Sequence, residues 1–209
     1  MTTIVGIQGE EFAVICADSR ISTESDGGYQ IGTLREGSGK LAQNGKYLIG
    51  AAGDVRAINI LHHVFQPPQP PQNLRGKKLD QFFTSKFIPA LRECFDTQGY
   101  SVPDRDDKSH IAEQGSSIIV AINSQIYVIE SDYSWSSEAS GLYSLGSGSA
   151  YALGAMTVLI RNKKLNSQQA RSIALRALAV ASKYDSGTGA PYQAFVQGQK
   201  VSTKRRKTV

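Results

Sequence analysis

The chain has 209 residues, 40% of them hydrophobic, and a formal net charge of +5 at pH 7. That length and apolar content fit one domain of ordinary size with a sizeable core. No stretch approaches the roughly 20 apolar residues of a membrane span. The N-terminus lacks the basic-then-apolar run of a signal peptide, so the expected location is the cytoplasm and no membrane partner is expected. Cys16 and Cys94 lie in apolar-patterned segments and read as reduced core thiols. Lys204, Arg205, Arg206 and Lys207 carry much of the positive charge after the last apolar segment. They read as a solvated terminus rather than a nucleic-acid site. One domain over residues 1–200 and a basic tail over 201–209 are expected.

Thr3 to Gln8 and Phe12 to Ala17 read as strands rich in β-branched residues, joined by a tight turn at Gly9-Glu10-Glu11. Asp18-Ser19-Arg20 ends the second. Ser22 to Gly39 is Gly/Ser-rich and reads as loop, with a short hairpin around Tyr29-Gln30-Ile31. Lys40 to Gln43 and Tyr47 to Ala52 form a hairpin that turns at Asn44-Gly45. Asp54 is a good N-cap for a helix through Ile58, Leu61 and Phe65, which Pro67 to Pro71 stops.

A second amphipathic helix is predicted from about Leu79 to Phe95, then a polar loop through His110. Strands come next at Ser117 to Ile122 and Gln125 to Ile129, turning at Asn123-Ser124. Two helices succeed them, Ser149 to Arg161 and Ser167 to Tyr184. The second carries a capping box of Asn166 and Gln169. A last strand covers Tyr192 to Gln197. Strands, helix pair, strands, helix pair, strand suggests two stacked sheets with helices on both outer faces. The expected class is α+β.

Thr2 carries the chemistry. Removal of Met1 would leave a hydroxyl nucleophile and a free α-amine on one residue. That amine has a reference pKa of about 7.7–8.0, so it can act as a base near neutral pH without a histidine. Five further segments suit such a nucleophile. Ala17-Asp18-Ser19-Arg20 presents a carboxylate at a strand end. Gly39-Lys40-Leu41 offers a lysine whose charge lowers the pKa of neighbouring amine and hydroxyl groups. Ala52-Gly53 stands at a strand-to-helix junction, where a backbone N–H can stabilise an oxyanion. Gly146-Ser147-Gly148-Ser149 and Asp185-Ser186-Gly187-Thr188-Gly189 are small, hydroxyl-bearing loops suited to ordering a terminal amine.

Taken together, these motifs resemble the proteasome β-type subunits, a group that includes HslV and other bacterial proteasome homologues. The resemblance runs from Thr2 to about Val196, and six short motifs occur in family order. It implies the four-layer αββα sandwich of N-terminal-nucleophile hydrolases. It also implies Thr2 as nucleophile, Asp18 and Lys40 as its charge partners, and Arg20 in the supporting network. Gly53 would supply the oxyanion-hole N–H, and Ser147, Asp185 and Thr188 would order the N-terminus. Ala42 and Ala51, small residues on strands flanking the site, would leave a roomy apolar pocket for the substrate side chain.

The resemblance further implies a threonine-type endopeptidase that self-associates into stacked rings and takes polypeptide substrates from a separate ATP-dependent unfoldase. No cofactor and no metal are expected. Only Met1 precedes the nucleophile, which is the HslV-like arrangement, whereas Gly-Ser-Gly-Ser and Asp-Ser-Gly-Thr-Gly look closer to true β subunits. Two other readings stay open. One is a catalytically silent ring or scaffold subunit that keeps Met1, and the other is an amidase acting on small amides. His62, His63 and His110 show no metal-ligand spacing.

Overall fold

The computed structural model describes residues 1–25, 28–100, 102–103, 112–161 and 164–198. The basic tail and His110 lie outside the described residues. Strand β1 (Thr3–Gln8) pairs antiparallel with β2 (Phe12–Asp18), as the alternation predicts. The stretch expected to be mostly loop is instead a hairpin, β3 (Arg20–Ser25) and β4 (Gly28–Thr33). Its glycines hide the strand signal because local propensity scores them as turn, while cross-strand pairing needs only extended backbone. β5 (Leu41–Asn44) and β6 (Tyr47–Ala52) form the expected second hairpin.

Helix α1 (Val55–His63) starts at Asp54, whose carboxylate accepts the Arg56 N–H at 2.8 Å. Next, α2 (Gly76–Phe82) leads through a π-helical turn at Phe83–Phe87 into α3 (Ile88–Thr97). The apolar spacing alone predicts one regular helix there. Pro89, at the start of α3, has no N–H to give the preceding turn, and the helix widens just before it.

Two-residue strands β7 (Val102–Pro103) and β8 (Ala112–Glu113) pair with each other. They precede β9 (Ser117–Ile122) and β10 (Gln125–Ile129). β11 (Trp135–Ser136) and β12 (Leu142–Gly146) have no counterpart among the expected elements. Helices α4 (Ser149–Ile160) and α5 (Ser167–Tyr184) and strand β13 (Tyr192–Gly198) complete the chain, with both halves of the Asn166–Gln169 capping box formed.

The strands assemble into a sheet ordered β12-β1-β2-β13 and a second ordered β11-β10-β9-β6-β5. Three apolar clusters result from strand alternation. Val5, Ile7, Val14 and Cys16 pack on α4 and α5 through Met156, Ala174 and Leu178. Ile49, Val120 and Tyr127 pack on α1 through Ile58 and Leu61 and on the π-helical turn between α2 and α3 through Phe83 and Phe87. Ile4, Ile15, Leu48, Ile119 and Tyr143 join one sheet to the other. Each fully buried aliphatic side chain of this kind contributes about 1.5–3 kcal/mol. Phe83 stacks on Tyr127 at 4.1 Å between ring centroids, fixing α2 and α3 against the second sheet. Among the described residues no helix is long and apolar enough to cross a membrane.

Candidate active site

The start of β1 is held between three loops from distant parts of the sequence. Asp18 ends β2 with its side chain fully buried. A buried carboxylate needs partners for its lone pairs, and Asp18 has four. Oδ1 accepts the Thr3 N–H at 2.9 Å and the Lys40 ammonium at 2.6 Å. Oδ2 accepts the Arg20 and Gly189 N–H groups, each at 3.0 Å. Asp18 thus joins β1, the residue before β5 and the Asp185–Gly189 loop.

Lys40 is only 2% exposed. Burial pushes its ammonium pKa below the ordinary lysine value, and the Asp18 carboxylate opposes that shift. Its Nζ also donates to the Met1 carbonyl at 3.3 Å. The Thr2 hydroxyl donates to the same carbonyl at 2.8 Å, and Thr2 is 4% exposed. With Met1 in place, the Thr2 nitrogen belongs to the Met1 peptide bond. A Cβ on Gly187 would collide with the Met1 side chain, so this glycine makes room for it.

On the other side of the strand, hydroxyls form a relay. The Gly148 N–H donates to Thr3 Oγ1 at 3.1 Å, and Thr3 Oγ1 lies 2.5 Å from Thr188 Oγ1. The Thr188 hydroxyl donates to Asp185 Oδ2. With one proton per hydroxyl, Thr3 therefore donates to Thr188. Ser147 Oγ donates to the same Asp185 oxygen at 2.8 Å and lies 3.4 Å from the Thr2 carbonyl. The N-cap of α4 is Gly148, the residue after Ser147. Arg20 donates from Nη1 to the Ser186 carbonyl at 2.9 Å, tying β3 to the same loop.

Gly53 succeeds β6 at φ +139°, a backbone conformation that side chains rarely adopt. A Cβ there would stand 2.6 Å from the Gly115 carbonyl and 2.7 Å from Ser116 Oγ. Ile4 and Ala52, each close in sequence to a candidate residue, both belong to the inter-sheet cluster, and a Cβ on Gly50 of β6 would stand 3.2 Å from Ile4 Cδ1, so β1 runs against β6. Ala42 pairs with Ile49 across the hairpin, and the Ala51 N–H reaches the Lys40 carbonyl at 3.4 Å. Ala42 and Ala51 thus share the sheet face opposite Leu41, and both are buried.

Thr2, Asp18, Lys40, Ser147, Asp185, Thr188 and Arg20 therefore converge through an unbroken set of hydrogen bonds. Thr3 joins them without having been expected from the sequence, and Gly187 and Gly189, expected only as part of their loop, join through their own backbone N–H groups. Their signal was the Gly-Thr-Gly spacing and the second threonine of the opening pair. Among the described residues no group of three or more His, Cys, Asp or Glu is arranged to hold a metal. The two cysteines are free, and burial pushes the Cys16 thiol up to about 12.

No protein-family model and no curated protein sequence matches this chain. Solved structures do match. Thiobacillus denitrificans BPH is 22% identical at a TM-score of 0.67, covering 95% of this chain and 99% of that one. The same protein in complex with epoxomicin is 20% identical, also at 0.67, covering 94% and 98%. Eukaryotic HslV from Trypanosoma brucei is 20% identical at 0.60, covering 94% and 99%. The fold is proteasome-like, of the HslV and BPH type. Mixed helices and antiparallel sheets are common to this chain and those neighbours over nearly their whole lengths.

Proposed function

We propose that the chain is a threonine-type endopeptidase subunit of a self-compartmentalising ring protease. Its fold on this reading is the four-layer αββα sandwich, one domain reaching to about residue 200, working in the cytoplasm. The observation that carries the proposal is the convergence of Lys40 and the four-bonded Asp18 on the Met1–Thr2 junction. A buried lysine there supplies the positive charge that a weak hydroxyl nucleophile needs.

Once Met1 is removed, the Thr2 α-amine takes the hydroxyl proton, through a water, while Oγ1 attacks the substrate carbonyl. The Gly53 N–H stabilises the oxyanion. The tetrahedral intermediate collapses to an ester on Thr2, the leaving amine takes the proton, and water then releases the acyl product. Lys40 lowers the proton affinity of the amine and hydroxyl, and Asp18 holds Lys40. Ser147, Asp185 and Thr188 orient the freed amine, and Arg20 steadies their loop. Ala42 and Ala51 shape an apolar pocket for the substrate side chain. The exposed Tyr151, Leu153 and Val158 of α4 support self-association, with a separate ATP-dependent unfoldase delivering folded substrates.

The test pairs intact mass with hydrolysis of fluorogenic peptides. Loss of one methionine together with hydrolysis that epoxomicin blocks is the expected result. A second reading is a silent ring subunit that keeps Met1. Retained Met1 with no hydrolysis would establish it.

A further inference from the structure

The turn that carries Gly53 is gripped by a buried polar network. The Asp54 N–H donates to Ser116 Oγ at 3.1 Å, and Ser116 Oγ lies 2.9 Å from the Tyr100 hydroxyl. Ser116 is itself fixed at both backbone groups by one side chain. Its N–H donates to Gln114 Oε1 at 3.0 Å, and its carbonyl accepts from Gln114 Nε2. Gln114 is 2% exposed, Ser116 4% and Tyr100 8%. Burial also raises the Tyr100 pKa, so its hydroxyl keeps a proton to donate.

Such a network costs desolvation at every member, and an apolar core would do as well for packing alone. Here it ties Gln114 to the Glu130 carbonyl at 3.2 Å and, at its other end, reaches the strand-to-helix turn. Ser116 Oγ holds the amide next after Gly53, and the Gly53 φ of +139° leaves no space for a Cβ against Gly115 and Ser116. Arg56, on the first turn of α1, adds a tie from Nη2 to the Gln98 carbonyl at 2.5 Å. The segment after α3 and the segment before β9 thus converge on the strand-to-helix turn.

We propose that Ser116 and Tyr100 are positioning residues that aim the Gly53 N–H at the reacting carbonyl. This rests on the oxyanion role proposed for Gly53. Holding the Asp54 amide fixes the Gly53–Asp54 peptide plane, and β6, paired with β9 up to Ala52, fixes the chain before it, so the Gly53 N–H is held from both sides. A donor that is pre-aimed requires no reorganisation when charge develops, which is where such donors act. Loosening the brace should therefore lower kcat and leave KM unchanged.

The experiment compares Ser116→Ala, Tyr100→Phe and Ser116→Thr in the full chain by two readouts. The first is amide hydrogen exchange of the peptide spanning residues 50–56, which does not depend on activity. The second is kcat and KM on a fluorogenic peptide, with affinity for a peptide boronate that forms a tetrahedral adduct. We expect faster exchange, a 10- to 100-fold fall in kcat with a parallel loss of boronate affinity, and unchanged KM in Ser116→Ala. Tyr100→Phe should show the same in weaker form, and Ser116→Thr, which keeps the hydroxyl, should restore all three. Unchanged exchange in Ser116→Ala would overturn the brace, as would faster exchange with wild-type kcat. A wild-type chain with Met1 removed and no hydrolysis would instead overturn the peptidase reading and the catalytic role with it. Exchange would still decide whether the network holds the turn.

Discussion

Lys40 Nζ stands 2.6 Å from Asp18 Oδ1, with both side chains almost wholly out of water. Burial lowers the Lys40 pKa and the Asp18 carboxylate raises it again. Removing that carboxylate therefore drops it further. Asp18→Asn should shift the alkaline limb of the kcat/KM profile to lower pH and reduce activity by at least about 100-fold. It should also destabilise the fold by about 3–5 kcal/mol, the usual effect of stranding one partner of a buried pair. The stability sign is fixed too. An unfolded lysine titrates higher than Lys40, so between the two values the unfolded chain holds more protons and this group's contribution improves as pH rises. An alkaline limb that stays or moves upward in Asp18→Asn would contradict the assignment.

Thr2→Ala should abolish peptide hydrolysis while leaving assembly intact. Among the described residues the lost hydroxyl is bonded only to the neighbouring Met1 carbonyl, so few folded-state contacts go with it. Hydrolysis rates and light scattering on the same preparation check both halves. Full activity in this variant would end the proposed mechanism.

Gly53→Ala places a Cβ 2.6 Å from the Gly115 carbonyl at a φ of +139°. The strain should cost about 1–3 kcal/mol. Relief of that strain would turn the Gly53 N–H, and loss of one oxyanion donor lowers kcat by about 10²–10³-fold. Thermal unfolding and steady-state kinetics measure the two effects separately.

Thr188 lies in the relay from Thr3 to Asp185 and is fully buried. Thr188→Val takes from the Thr3 hydroxyl its acceptor and from Asp185 Oδ2 one of its two donors, and should cost about 1–3 kcal/mol. Thr188→Ser keeps the hydroxyl and should retain most activity. Equal loss in the two variants would mean that packing of the methyl, not the relay, is what this position supplies.

Ala51 packs against the cluster that holds Ala57 and Ile58. Enlarging it to Val should narrow the substrate pocket and shift preference toward smaller apolar side chains, at a packing cost of about 1–3 kcal/mol. A panel of fluorogenic peptides reads the preference. A strict acidic or basic preference in the wild-type chain would refute an apolar pocket.

Local signals are legible wherever a few adjacent residues suffice. Asp54 capping α1, the Asn166–Gln169 box and the β9–β10 hairpin all satisfy their own backbone groups within one turn. β12 is not legible, because Leu142–Gly146 is short and serine-bearing and becomes a strand by pairing with β1. The π-helical turn at Phe83–Phe87 has its cause in plain view at Pro89. Its form, however, depends on Phe83 reaching Tyr127.

Which chemical groups exist, and in what order, can be read along the chain. Thr2, a carboxylate at a strand end, a lysine before a strand and two hydroxyl-bearing glycine loops are properties of short segments. That Asp18 holds Lys40, Thr3, Arg20 and Gly189 at once emerges from the folded arrangement. The same arrangement lets Ser116, 62 positions from Asp54, hold the amide after Gly53. Those bonds join elements that meet only after both sheets have formed. Their geometry is set by packing of Ile4, Ala52 and Ile119 across the sheets rather than by any neighbouring residue.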